Sequence, residues 1–313
     1  MTTPKLGFVG LGNMGGNMAA RLLAAGYAVY GSSRSRGHVD GLIDEGLQWR
    51  DGARDVGEAA DVLFTSLPDD RALTSVATGP KGILAALVAG KTWVDTSTVS
   101  PQVSRELSGR VSERGAVMLD APVSGSVPQV RSGTLTIMVG GDEQAYRRVE
   151  PILRELGTPS HVGDSGQGLA LKLAINISLA VQMLAFAEGL LLATRSGVDA
   201  KRALDVMESS PIGSPMLRAR AALILDPPTD EAWFDLAFMR KDIELALEAA
   251  RSLVIPMPSA ERADELLRRA HALGYDRRDL AVMFELLERI ADGEPQSQPG
   301  GWSQPGGERL AER

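Results

Sequence analysis

The chain has 313 residues, 44% of them hydrophobic, which is enough for two domains with a core each. Its formal net charge is -7, and the basic residues are scattered rather than gathered into a stripe, so nucleic acid is not an expected partner. The absence of cysteine excludes disulfides, thiolate zinc sites and a cysteine nucleophile; with only His38, His161 and His271 besides, no metal site is expected, and a reducing cytoplasmic setting fits.

Within a few residues the N-terminus enters the strand-like run LGFVG, with no basic region and apolar core before it, so no export signal is expected. From residue 5 to about 162 the runs LGFVG, YAVYGSS, DVLFTSLP, TWVDTST, AVMLDAPV and LTIMVGG read as strands. Between them GGNMAARLLAAG, SRELSGRVSERG and QAYRRVEPILRELG have helical spacing. This alternation predicts an α/β fold, a doubly wound, mostly parallel sheet with helices on both faces.

After Gly168 the strands stop. Residues 168–195 form a long apolar run, but Lys172, Asn176, Gln182, Glu188 and Arg195 within it argue against a membrane span. A helix apolar on nearly all sides needs cover on nearly all sides, which predicts a long interdomain spine that also serves as a subunit interface. DAKRALDVMESS, FDLAFMRKDIELALEAARSL, SAERADELLRRAHALG and DLAVMFELLERIADG then read as helices. From Glu294 the sequence GEPQSQPGGWSQPGGERLAER is too rich in Pro, Gly, Gln and Ser to offset ordering. The expected division is an α/β domain over 1–162, an all-α domain over 163–292 and a flexible tail over 293–313.

The first strand leads into GFVGLGNMGG, where Gly10, Gly12 and Gly15 have the G-x-G-x-x-G spacing and open a helix. Such a turn admits a pyrophosphate against the helix N-terminus, so residues 10–15, including Leu11, Asn13 and Met14, are candidate dinucleotide contacts in a Rossmann-type domain. A glycine-rich turn alone is the plainer alternative. The second strand ends in Gly31, Ser32, Ser33, Arg34, Ser35 and Arg36, with no acid before Asp40. Hydroxyls and arginine suit a 2′-phosphate, so Ser33, Arg34 and Ser35 favour NADP, with NAD as the second choice.

GQGLALKLAINIS, residues 166–178, strands one ammonium group in an apolar run. If residue 168 opens a helix, Lys172 and Asn176 share a face and reach the same small molecule. Apolar surroundings lower a lysine's pKa toward the range useful for proton exchange; a lysine that snorkels to the surface is the plainer reading. In DAPVSGS, residues 120–126, Ser124, Gly125 and Ser126 offer amides and hydroxyls to a carboxylate, unless the segment is only a turn. FMRKDIELAL, residues 238–247, places Lys241 and Asp242 on a helix that core packing and solvated charge explain.

Together GFVGLGNMG, DAPVSGS, GQGLALKLAIN and KDIELAL, in that order over roughly residues 5–292, resemble the β-hydroxyacid dehydrogenase family, which includes 3-hydroxyisobutyrate dehydrogenase and tartronate semialdehyde reductase and is related to 6-phosphogluconate dehydrogenase. The resemblance implies reversible hydride transfer between a nicotinamide and a small β-hydroxy acid or its aldehyde acid, with Lys172 as general acid/base and Asn176 holding substrate. It implies that Ser124 and Gly125 bind the substrate carboxylate, that Leu67, Pro68, Thr98 and Lys241 line the cofactor site, and that the protein is a homodimer or homotetramer. The family pattern is DAPVSGG, so Ser126 adds a side chain at the expected carboxylate site. Side chains around Ser214, Met216, Phe234 and Phe238 are candidates for choosing the acid. Two alternatives are an imine reductase-like NADPH-dependent enzyme, a group that usually lacks the lysine, and a non-catalytic reader module of the same fold.

Overall fold

In the computed structural model, which describes residues 3–34, 36, 39–225, 232 and 234–293, Leu6–Val9 form β1 with every residue buried. A strand covered on both faces has to be apolar throughout, and LGFV is. Ser35, His38 and the expected tail from Glu294 onward lie outside the described residues. There follow α1 (Asn13–Ala24), β2 (Val29–Ser32), α2 (Asp40–Asp44), β3 (Gln48–Trp49), α3 (Ala53–Ala59), β4 (Val62–Thr65), α4 (Asp70–Thr78), β5 (Thr92–Asp95), α5 (Pro101–Ser112), β6 (Val117–Asp120), β7 (Val123–Ser124), α6 (Val127–Ser132), β8 (Leu135–Gly140), α7 (Glu143–Leu156) and β9 (Gly157–Gly163).

The strands lie in the order β3-β2-β1-β4-β5-β6-β8-β7, with β9 on β8. Pairing is parallel from β3 through β6 and antiparallel where β6 and β7 meet β8. Alternate residues feed two cores. Phe8 stacks on its register partner Phe64, ring centroids 5.4 Å apart, beside Met18 and Leu22 of α1 and Val149 and Leu153 of α7. Val9, Leu63, Trp93 and Met118 pack on the opposite face against Val56, Leu73 and Val111 of α3, α4 and α5. Each such side chain contributes about 1.5–3 kcal/mol on burial, so both helical layers are held by the same strands.

The remaining elements are helices: α8 (Gln167–Arg195), α9 (Ala200–Ser209), α10 (Pro215–Leu225), α11 (Leu236–Ser252), α12 (Pro258–Ala272) and α13 (Met283–Ala291). The doubly wound sheet followed by an all-helical half is the predicted architecture. With 29 residues, α8 is about 44 Å long. It starts against β8 and β9 and continues against α9, α11, α12 and α13. Met183, Phe186 and Leu190 of α8 form a third core with Met239, Ile243, Leu267 and Met283. By length and composition alone α8 could cross a membrane; here its buried side is this core, and Leu171 and Leu192 are exposed.

Candidate active site

The turn after β1 is built for close backbone approach. Gly10 has φ +94°, and a Cβ there would lie 2.3 Å from the Ser66 carbonyl oxygen, so only glycine fits. Gly12 is the N-cap of α1 and has open space where a side chain would stand. Among the described residues no side chain caps α1, and no acid occupies its first turn, so its N-terminal amides and dipole fit the pyrophosphate of a dinucleotide. At the end of β2, Ser32 is buried, Ser33 is half-buried and Arg34 is exposed. Arg36 is drawn aside, its guanidinium 5.8 Å from the centroid of the Trp49 ring.

Leu67 and Pro68 follow β4, and their loop is tied down from beneath. The Leu67 N–H donates to Ser97 Oγ at 2.9 Å, and Ser97 Oγ donates to Asp95 Oδ1 at 2.6 Å. Thr65 Oγ1 donates to the same oxygen at 2.6 Å while accepting from Trp93 Nε1 at 2.8 Å. Asp95 is fully buried, and among the described residues its Oδ2 has no hydrogen-bond partner. Burial pushes its pKa up to about 6, against the hydrogen bonds from Ser97 and Thr65 that favour the charged form.

Thr98, one residue past Ser97, joins this loop system to the helical half. Its carbonyl accepts from Lys241 Nζ on α11. The same ammonium lies 2.9 Å from Asp242 Oδ1, an ion pair without hydrogen-bond alignment. Asp242 Oδ2 accepts from Asn176 Nδ2 at 2.6 Å. Lys172, one turn earlier on α8, is only 7% exposed. Burial lowers its pKa; the Asp242 carboxylate opposes that and the Lys241 charge adds to it.

The structure therefore gathers Lys172, Asn176, Lys241 and Thr98 around Asp242, a residue that sequence reading took for a solvated charge. That reading is corrected: Asp242 is 2% exposed. Its position was a usable clue, since Met239, Asp242, Ile243 and Ala246 follow the buried face of α11. Ser124 lies in β7, Gly125 is exposed at φ +134°, and Ser126 is the N-cap of α6, its N–H donating to Gln129 Oε1 at 2.8 Å. Among the described residues no hydrogen bond joins Ser124, Gly125 or Ser126 to Lys172 or Asn176; Asp120, at the head of the same segment, bonds the start of α8 instead. Ser214 Oγ donates to Gln182 Oε1 on α8 at 2.9 Å, Met216 and Phe234 pack against the helical core, and Phe238 is exposed.

A family model described as the NAD binding domain of 6-phosphogluconate dehydrogenase matches residues 5–166, and one described as NAD-binding of NADP-dependent 3-hydroxyisobutyrate dehydrogenase matches residues 166–287. The 2-hydroxy-3-oxopropionate reductase of Escherichia coli (strain K12) is 36% identical over 289 residues, 92% of this chain and 98% of that protein. The chain belongs to the β-hydroxyacid dehydrogenase family. Like other members of the β-hydroxyacid dehydrogenase family it is an NAD(P)-dependent hydroxyacid dehydrogenase or reductase, with a nicotinamide cofactor and a small-molecule substrate. The Mycobacterium tuberculosis 3-hydroxyisobutyrate dehydrogenase, solved with L-serine, superposes with TM-score 0.82 at 30% identity over 91% of this chain and 99% of that one. Psf3 in complex with NADP+ and 2-OPP gives TM-score 0.82 at 28% identity over 90% and 99%.

Proposed function

We propose that the protein is an NADP-dependent β-hydroxyacid dehydrogenase or aldehyde-acid reductase in which Lys172 is the general acid/base. The observation that carries the reading is the buried Lys172 amine, one helical turn from an Asn176 held by Asp242. A bound nicotinamide accepts or delivers the hydride. In oxidation the neutral Lys172 amine takes the hydroxyl proton as the carbonyl forms; in reduction the ammonium returns it. The lowered pKa keeps the neutral form accessible for the first of these steps. One Nδ2 proton of Asn176 is committed to Asp242, so the other and Oδ1 are left to orient the reacting oxygen. Ser124 and Gly125 are assigned to the substrate carboxylate by family resemblance, and Ser126 by its place in the same turn.

Gly10, Leu11, Gly12, Asn13, Met14 and Gly15 take the pyrophosphate, with Leu67, Pro68, Thr98 and Lys241 along the nicotinamide half. The absence of an acid after β2, beside the exposed Arg34, supports NADP over NAD. On this reading residues 1–162 hold the dinucleotide, residues 163–292 hold substrate and pair subunits in a homodimer or homotetramer, and the enzyme works in the cytoplasm. The test is a panel of β-hydroxy acids and their aldehydes, including 3-hydroxyisobutyrate, L-serine and 2-hydroxy-3-oxopropionate, with NADP(H) and NAD(H), run beside Lys172→Ala. Turnover that survives in a folded Lys172→Ala protein overturns the assignment.

A further inference from the structure

Asp120 opens the segment assigned to substrate, yet its carboxylate serves a different element. Oδ1 accepts from the Gly166 N–H at 2.6 Å and Oδ2 from the Leu169 N–H at 3.0 Å. These are the N-cap and the third residue of α8. Gly166 has no side chain to cap its own helix, so the cap comes from a strand end 46 residues earlier. The other strand supplies room for it. Gly140 of β8 is the register partner of Asp120, and a Cβ there would stand 2.7 and 2.9 Å from the two carboxylate oxygens. A Cβ on Gly168 would stand 2.8 Å from Oδ2 and 2.4 Å from the Met138 carbonyl oxygen. The carboxylate thus sits in a socket that a methyl group on either glycine would close.

A charged acceptor bonded to two amides at a helix N-terminus fixes that terminus in rotation and along its axis. Lys172 follows Leu169 by three residues, within the same turn and a half of helix. We infer that Asp120 is the positioning residue of the acid/base helix: its bonds to Gly166 and Leu169 set where the Lys172 amine stands against the reacting oxygen. The inference rests on the assignment of Lys172 made above. It gives the first residue of DAPVSGS a task separate from holding substrate.

The test compares Asp120→Asn and Asp120→Ala with the wild type and with Lys172→Ala, using NADPH and the fastest-reduced aldehyde acid of the panel. Asparagine keeps one acceptor and turns an amide N–H against the other donor; alanine removes both acceptors. A displacement of about 1 Å at a reacting group costs about a hundredfold in rate, so kcat should fall about a hundredfold in Asp120→Ala and less in Asp120→Asn. NADPH affinity, read by fluorescence titration, should stay within about twofold, because the glycine turn is untouched. Amide exchange should quicken over residues 166–172 and not over 6–17. Variants with wild-type kcat, NADPH affinity that weakens in step with kcat, or unchanged exchange at 166–172 would each overturn the positioning role. If Asp120→Ala does not fold, the same readouts on Asp120→Asn decide. Activity retained by Lys172→Ala defeats the acid/base assignment itself, whereas an inactive Lys172→Ala beside wild-type-like Asp120 variants defeats only the role of Asp120.

Discussion

Asp95→Asn should change how stability depends on pH, and the structure sets the size of the change. Asp95 is fully buried, and its carboxyl is pushed up to about 6 from 3.8. In the folded state the charged form is therefore disfavoured by about 3 kcal/mol relative to the unfolded chain. The cost is present in full above about pH 7, where both states are ionised. It is relieved as pH falls from about 7 toward 4, because the folded state takes up its proton first. Integrating the two titrations from pH 8 to pH 5 recovers about 1 kcal/mol of stability. Asparagine has no proton to take, so the stability of the wild type minus that of Asp95→Asn should rise by about 1 kcal/mol over the same interval. Groups common to both proteins cancel to first order, whatever constant offset the altered hydrogen bonds to Ser97 and Thr65 introduce. Urea unfolding at four pH values, followed by far-ultraviolet circular dichroism, measures the difference. Two curves that stay parallel, or a wild-type-minus-variant difference that falls toward pH 5, would refute the reasoning that burial dominates this carboxyl.

Replacing Lys172 by Met keeps the apolar packing and removes the proton carrier, so kcat should fall by about two to four orders of magnitude with NADPH affinity retained; steady-state rates and cofactor titration check both. Asp242→Asn removes the carboxylate that holds the Lys172 pKa up. The acid limb of the oxidation rate should therefore move to lower pH, and the substrate KM should rise as the 2.6 Å anchor of Asn176 weakens from a charged to a neutral acceptor; a pH–rate profile with an unmoved limb would contradict this. Arg34→Ala should raise the KM for NADP about tenfold, equivalent to about 1.4 kcal/mol, and leave the KM for NAD unchanged. Equal effects on both cofactors would remove Arg34 from the 2′-phosphate.

The strands a reader finds without coordinates are those buried on both faces. LGFV is an unbroken apolar run and TWVD is buried throughout around Trp93 and Val94, and the sheet is built on them. Gln48–Trp49 and Val123–Ser124 are two residues each, too short to show any period. Gly157–Gly163 reads GTPSHVG; it is a strand because β8 offers it a partner, and its partly exposed face puts no demand on its composition. Pro215–Leu225 sets Arg218 and Arg220 among apolar residues with no preferred side, so the sequence pattern does not mark its helix.

In the site, Lys172 was legible because an isolated ammonium in an apolar run needs a reason, and Asn176 followed by helical spacing. Asp242 was masked by the Lys241 beside it, which reads as a ready partner. Asp95 and Asp120 each end an apolar strand and are register partners on adjacent strands. Two acids side by side at strand ends would have been a usable clue, but the pairing of β5 with β6 had to be known first.

The continuity of α8 constrains how the gene can change. The helix carries Lys172 and Asn176 near its start and the core residues Met183, Phe186 and Leu190 further on, with no interruption from Gln167 to Arg195. Inserting one codon between Asn176 and Ala180 would turn everything beyond it by about 100° and advance it about 1.5 Å. Either the helical core or the lysine would then face the wrong way, whichever amino acid was added. Point substitutions along this stretch are graded in effect; changes of length are all or none. Descendants of this gene should therefore gain and lose residues in the loops before Gly166 and after Arg195, while the distance from the lysine to the core stays fixed.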